Sequence, residues 1–261
     1  MMFEKLPETM PDGNNEIQLL YVQEQDLKRQ ALLRNDYRGF RQVLHQPGIP
    51  TVIAELKSES PSAAWVVEDF DLVAQAAAYA AAGANALSVL TDKNLFQESR
   101  DLMRQVLART TIPVLRRERI LEPVQIYDAV VSGADAILLT VSAMKQEQVQ
   151  RLYECARLFP VDIVVEVHDL QELDMALDLG ADIIAVNNRS RANFRIDLQT
   201  TAGLAQEIPS DCLGICLGGI KNADDVSFCR EQGIDCFLTG EIAMSSDNIK
   251  PAINELLGRG V

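Results

Sequence analysis

From residue 51 onward, short runs of uninterrupted apolar residues alternate with longer stretches whose apolar positions recur at helical spacing. The short runs are TVIAEL, ALSVL, PVLR, AILLT, DIVVEV, DIIAV, CLGIC and CFLT. Each is continuously apolar rather than alternating, which is how strands buried on both faces read. The stretches between them, among them LVAQAAAYAAAG, PVQIYDAVVSG, LQELDMALDLG and ADDVSFCREQG, predict helices. These four helices share an ending. Gly83-Ala-Asn, Gly133-Ala-Asp, Gly180-Ala-Asp and Gly233-Ile-Asp recur about fifty residues apart, each just before a strand. Glycine there suits the left-handed residue that closes a helix. The recurrence marks every second strand, so four (βα)2 units make eight strands.

Strict βα alternation fits either a doubly wound sheet or a closed barrel. Eight strands in a quarter-period repeat, with no GxGxxG after the first strand, favour the α/β class in its closed form, a (β/α)8 TIM barrel. A chain of 261 residues suits one such barrel. Upstream, residues 1–17 are polar and predict a loose tail; 19–34 carry a helical pattern, and FRQVLHQ (40–46) predicts a second short helix. The expected organisation is a tail and helical extension over 1–50 and a single barrel domain over 51–261.

Composition narrows the function. Apolar residues make up 48% and charged residues 24%, the profile of a globular protein with a large core. The formal charge of −14 argues against nucleic acid and anionic membranes as partners. No apolar run reaches the ~18 residues of a membrane helix. The acidic start, MMFEKLPETMPDGNNE, lacks the basic and then apolar run of a signal peptide, so a cytoplasmic protein is expected. The five cysteines (Cys155, Cys212, Cys216, Cys229, Cys236) form no CxxC pair, and His45 and His168 are the only histidines. Buried reduced thiols and no metal site are the expectation.

A (β/α)8 barrel carries its active site at the C-terminal ends of the strands. There the sequence sets Glu55 and Lys57, which strand alternation points to the same side, into the mouth. An unpaired charge there would be costly, so these two are expected to be partners or a site. The third strand ends in Arg116-Arg117-Glu118-Arg119, the fifth in Glu166, the sixth in Asn187-Asn188-Arg189, the seventh in Leu217-Gly218-Gly219 and the eighth in Gly240-Glu241. Glycines after the seventh and eighth strands either make tight turns or expose backbone N–H groups at helix N-termini, the usual phosphate seat of these barrels. Glu166 is either a structural cap or ion-pair member, or an acid/base group. His168, one pleat beyond it, is read as a cap of the following helix rather than a ligand. Phe96 is read mainly as packing, close enough to the second strand to line the mouth.

These strand ends, with IAELKSESPS, ALSVLTDKNLFQES, the PVLR run followed by QIYDA and GADAILL, VVEVHD and VNNR, resemble the indole-3-glycerol phosphate synthase family of tryptophan biosynthesis. The resemblance covers nearly the whole chain. It implies a lyase and decarboxylase that closes the indole ring of a carboxyphenylamino-deoxyribulose 5-phosphate, losing carbon dioxide and water without a cofactor. It also implies a small phosphorylated substrate, and a monomer or weak homo-oligomer is expected. By resemblance, Lys57 and Glu55 match the catalytic pair of the first strand, and Glu166 the acid/base glutamate. Asn187 and Arg189 match polar residues around the substrate, and Ser60, Gly219 and Gly240 match positions near the phosphate.

Two departures stand out. Where the family reads LRKDF this chain reads LRRER, so Arg117 falls on the general-acid lysine and Arg119 on an aromatic that lines the pocket. Where the family has Ser-Glu-Ser-Gly this chain has Cys216-Leu217-Gly218-Gly219, so Leu217 replaces a glutamate. A guanidinium clamps anions well but, with a pKa above about 12, gives up protons poorly. Three readings stay open: an active synthase in which Lys57 takes the acid role, a divergent barrel acting on another phosphorylated anion, and a non-catalytic regulatory subunit.

Overall fold

Eight parallel strands close on themselves in chain order: β1 Thr51–Leu56, β2 Ala86–Leu90, β3 Val114–Arg117, β4 Ala136–Thr140, β5 Asp162–Val167, β6 Ile183–Asn187, β7 Leu213–Leu217 and β8 Cys236–Thr239. β1 pairs with both β2 and β8, Ile53 lying beside Ala86 on one side and Leu238 on the other. The sheet therefore has no edge, which rules out the doubly wound alternative. The structure is a computed structural model that describes residues 15–56, 71–91, 96–240 and 249–258, with side chains omitted at 15–21 and 96–98.

Helices follow the strands: α3 Leu72–Ala82, α4 Phe96–Leu107, α5 Pro123–Val131, α6 Gln146–Ala156, α7 Leu170–Asp178, α8 Gln199–Ala205, α9 Ala223–Glu231 and α10 Ile249–Leu256, with a short 3-10 turn at Val141–Ala143. The four repeated glycines all adopt the left-handed conformation the pattern predicts. In the first two repeats the polar residue two places on ties the helix exit to a neighbouring strand. Asn85 Oδ1 accepts from the Val52 amide at 3.0 Å, and Asp135 Oδ2 from the Val114 amide at 2.9 Å.

Two helices precede the barrel, α1 Asn15–Leu33 and α2 Phe40–Leu44. α1 starts before residue 19, and α2 stops at Leu44 rather than at 46. The Arg34 guanidinium, at the end of α1, donates to the carbonyls of Val130 at 3.2 Å, Gly133 at 3.1 Å and Ala134. Those carbonyls stand at and just beyond the C-terminal end of α5, where a cation is favoured. Phe40 and Leu44 of α2 join the apolar cluster inside the barrel and close its N-terminal end. The Asp162 carboxylate accepts from the Arg41 amide at 2.8 Å, and burial pushes that carboxyl above the ordinary range.

The strands alternate between two shells. Ile53, Leu115, Val164, Ala185 and Ile215 fill the barrel, while Val52, Val114, Val165 and Val186 pack outward against the helices. One consequence decides the site. Two residues beyond Ile53, Leu115, Val164 and Ala185 stand Glu55, Arg117, Glu166 and Asn187, so these four share the inward face at the C-terminal rim. Arg116 takes the opposite face.

Candidate active site

Arg117 reaches from β3 to the Glu55 carboxylate on β1 and forms an ion pair with it; the two side chains are 16% and 12% exposed. Glu55 thus has Arg117 as a partner, a contact the sequence did not suggest. Position 57 lies outside the described residues, as do Ser60 and the side chain of Phe96. Glu166, buried on β5, accepts a hydrogen bond from Asn187 Nδ2 on β6 at 3.1 Å. Asn187 Oδ1 in turn accepts from the Arg189 amide at 2.9 Å, which fixes the turn out of β6. Arg117, Glu118, Arg119 and Glu166 line one cavity of about 210 Å3, whose apolar walls include Leu90, Leu138 and Ala143. The mouth therefore combines a paired guanidinium, a second arginine and a buried carboxylate beside an apolar surface.

Neighbouring Arg116 has a different task. Its side chain is 1% exposed and donates to Asp128 at 2.7 Å, Ser132 at 3.1 Å, Thr91 at 3.2 Å and Glu118 at 3.2 Å. Asp128 also holds Arg100 of α4. This network anchors the β3 rim from outside the barrel and places the Glu118 carboxylate toward the mouth. The sequence groups the three arginines together; the pleat separates them.

On the β7 side, Leu217 is buried among inward apolar residues with Leu238 as its register neighbour on β8. The turns holding Gly219 and Gly240 follow two residues beyond that pair and so lie at adjacent rim positions. Gly219 adopts φ 92°, and a Cβ there would stand 2.7 Å from Ile196 Cγ2. Asn188, fully buried, fastens this turn. Its Nδ2 donates to the Gly218 carbonyl at 2.9 Å, and its Oδ1 accepts from the amide and hydroxyl of Thr201 at 3.0 and 2.8 Å. The N-terminus of α9 is closed by its own residues: Asn222 Oδ1 accepts from the Asp225 amide at 3.0 Å, and Asp225 Oδ2 accepts from the Lys221 amide at 2.8 Å. The residues after Gly240, from 241 to 248, lie outside the described part.

His168 does not cap α7. That role belongs to Asp169, whose Oδ1 accepts from the Glu172 amide at 2.9 Å. His168 instead faces two carboxylates, with Nδ1 3.0 Å from Glu172 Oε2 and Nε2 3.6 Å from Glu166 Oε1. Burial acts to raise the Glu172 carboxyl, but hydrogen bonds from His168 and the nearby Arg191 outweigh it and hold the group below the ordinary range. A second cavity of about 380 Å3 is lined by His168, Asp169, Asn187, Arg189, Arg191 and Thr200.

Sequence reasoning missed Glu172 and gave Asn188 no task; the i to i+4 spacing of His168 and Glu172 was the available signal for the first. Of the cysteines, Cys216, Cys229 and Cys236 are buried, whereas Cys155 and Cys212 are only half-buried. Among the described residues no cluster of three or more His, Cys, Asp and Glu side chains is arranged to hold a metal, and no helix is long and apolar enough to cross a membrane.

Comparison with known proteins gives the mouth a context. The family model for indole-3-glycerol phosphate synthase matches residues 7–256. A protein of that name from Chlorobium phaeovibrioides is 41% identical over 214 residues, 82% of this chain and 83% of the relative. Another from Bordetella pertussis is 41% identical over 228 residues, 86% of this chain and 87% of the relative. Among solved structures, a thiamine phosphate pyrophosphorylase from Pyrococcus furiosus superposes with a TM-score of 0.62 at 17% identity, covering 81% of this chain and 95% of that one. A likeness at that identity speaks for the barrel alone.

Proposed function

Because the chain belongs to the indole-3-glycerol phosphate synthase family, we propose that its barrel mouth closes the indole ring of a carboxyphenylamino-deoxyribulose 5-phosphate, releasing carbon dioxide and water. The observation that carries this reading is the single cavity lined by both Arg117 and Glu166, with Asn187 bonded to the latter. Ring closure builds charge on a carbonyl oxygen, and preorganised donors lower that barrier most. Arg117 supplies such donors, and its ion pair with Glu55 fixes the guanidinium plane. Glu166 exchanges a proton with the substrate, and Asn187 orients it. Lys57 takes the acid role that Arg117, permanently charged, fills poorly. Leu90, Leu138 and Ala143 offer an apolar wall for the aromatic ring, with Arg119 lining the same cavity; Phe96 is assigned to substrate binding by its place in the sequence alone. Arg189 belongs to the polar residues around the substrate, and Ser60 and the turns at Gly219 and Gly240 receive the phosphate.

The test is appearance of indole fluorescence when the purified chain meets the carboxyphenylamino substrate; no product at any enzyme concentration refutes the reading. Arg117 and Leu217 favour one second reading, a barrel that binds a sugar phosphate without ring closure. They make the mouth more positive and poorer in proton carriers. Thermal stabilisation by sugar phosphates without turnover would select it.

A further inference from the structure

Glu166 and Glu172 stand on either side of one imidazole. Glu172 Oε2 lies 3.0 Å from His168 Nδ1 and also accepts from the His168 amide at 2.8 Å. Its other oxygen pairs with Arg191 Nη1 at 2.7 Å. An ionised carboxylate only accepts hydrogen bonds, so Nδ1 carries a proton and the ring orientation is fixed from that side. Nε2 then points to Glu166 Oε1 at 3.6 Å, the oxygen that also accepts from Asn187. A bare Nε2 and an ionised Glu166 would set lone pair against negative charge. The proton that Glu166 takes from the substrate removes that repulsion, whichever of the two atoms it rests on. The 3.6 Å gap exceeds a hydrogen bond, and catalytic contacts of this kind often tighten only when substrate fills the site.

We propose that His168 is a positioning residue that shares a proton with Glu166 and carries it between the mouth and solvent. This rests on the reading of Glu166 as the acid/base group. After Glu166 takes a proton from the substrate, its O–H donates that proton to Nε2. Glu166 returns to carboxylate, and His168 becomes an imidazolium held between two negative charges. The imidazolium then releases the Nε2 proton to water entering the 380 Å3 cavity that His168 lines with Asp169, Asn187, Arg189 and Arg191, while Nδ1 keeps its own proton toward Glu172. The charged groups around the ring are Glu166 from β5, Glu172 from α7, Asp169 at the α7 cap, and Arg189 and Arg191 from the turn after β6. His168, 11% exposed, lines the outer cavity, and its neighbour Glu166 lines the mouth cavity.

The arrangement resembles a carboxylate–imidazole pair that orients a third reacting group. A purely structural histidine would serve equally well as asparagine, whose amide can donate to Glu172 but cannot pass on a proton. His168→Asn should therefore keep the thermal midpoint of the parent. It should lower kcat on the order of tenfold and leave KM within twofold. His168→Ala should regain turnover, saturably, on addition of imidazole. Ring 15N resonances of the unaltered chain, which has only His45 and His168, should show Nδ1 of His168 protonated; Glu172→Gln should release that preference. An unaffected kcat in His168→Asn, no rescue by imidazole, or a bare Nδ1 overturns the proposal. Lack of indole formation by the unaltered chain would instead count against the reading of the whole site.

Discussion

Arg117 on β3 and Glu55 on β1 form an ion pair that spans the mouth over β2, the strand between them. By resemblance the Arg117 position matches a lysine, a side chain that can lose its proton when cations crowd it, because burial and like charge favour the neutral form. A guanidinium cannot. Leu217 is buried in the apolar layer beside Asn187 and Leu238, at a position that by resemblance matches a glutamate. Arg117→Lys combined with Leu217→Glu should raise kcat at least about tenfold, since a working general acid contributes ~10²–10⁴-fold. Leu217→Glu alone buries an uncompensated carboxylate and should cost roughly 2 kcal/mol or more of stability. Indole fluorescence and denaturant titration read the two effects; a double variant no faster than the parent refutes the roles given to both positions.

Arg116 and Asp128 form the most buried ion pair of the molecule's described part that borders the site, at 1% and 0% exposure. Removing one member leaves the other's charge without compensation in the protein interior. Asp128→Ala strands Arg116 and also releases Arg100, so it should lower the unfolding free energy by about 3–5 kcal/mol. Urea denaturation measures this directly, and a loss below about 1 kcal/mol would contradict the network described here.

Much of the barrel was legible because its signals are local. Each apolar run and each helix-closing glycine sits within a few residues of the element it defines. The site was legible only as a set of rim positions. In VLRR, both faces of β3 are buried, so no alternation tells which arginine turns inward; the choice is set by register, with Leu115 inside beside Ala136. Asn188 reads like its exposed-looking neighbours, yet its partners Thr201 and Gly218 lie 13 and 30 positions away. The Glu55–Arg117 pair is likewise a contact across 62 positions. Closure of the ring brings these two together, and no local pattern announces it.

Two glycines in similar backbone conformations should respond differently to alanine. Gly219 (φ 92°) would place a Cβ 2.7 Å from Ile196 Cγ2 and 3.1 Å from Leu198 Cδ2, whereas Gly233 (φ 93°) has nothing within 4 Å. Gly233→Ala then pays only for its left-handed backbone, about 1–2 kcal/mol. Gly219→Ala adds a clash in the turn proposed to receive phosphate, so it should cost more stability and raise KM several-fold. Equal stability losses with an unchanged KM would detach Gly219 from the substrate.

Glu172 offers a test in pH. Its side chain is 9% exposed, and it is held ionised by the ring and amide of His168 and by Arg191. Because its folded value lies below the ordinary one, the folded state prefers the carboxylate more strongly than the unfolded chain does. The resulting stabilisation is fully present above the unfolded value of about 4.3 and is lost as pH falls through the folded value. Glu172→Gln removes this charge while keeping the shape, and loses charge-assisted hydrogen bonds that contribute roughly 1.5–3 kcal/mol. The stability gap between parent and variant should therefore be flat from neutral pH down to about 5.5, then close as the solution becomes more acidic than about 4.3. Paired urea titrations across that range measure it. A gap that widens toward acid would mean that Glu172 is destabilised in the fold, and the carboxylate–imidazole arrangement beside Glu166 would lose its anchor.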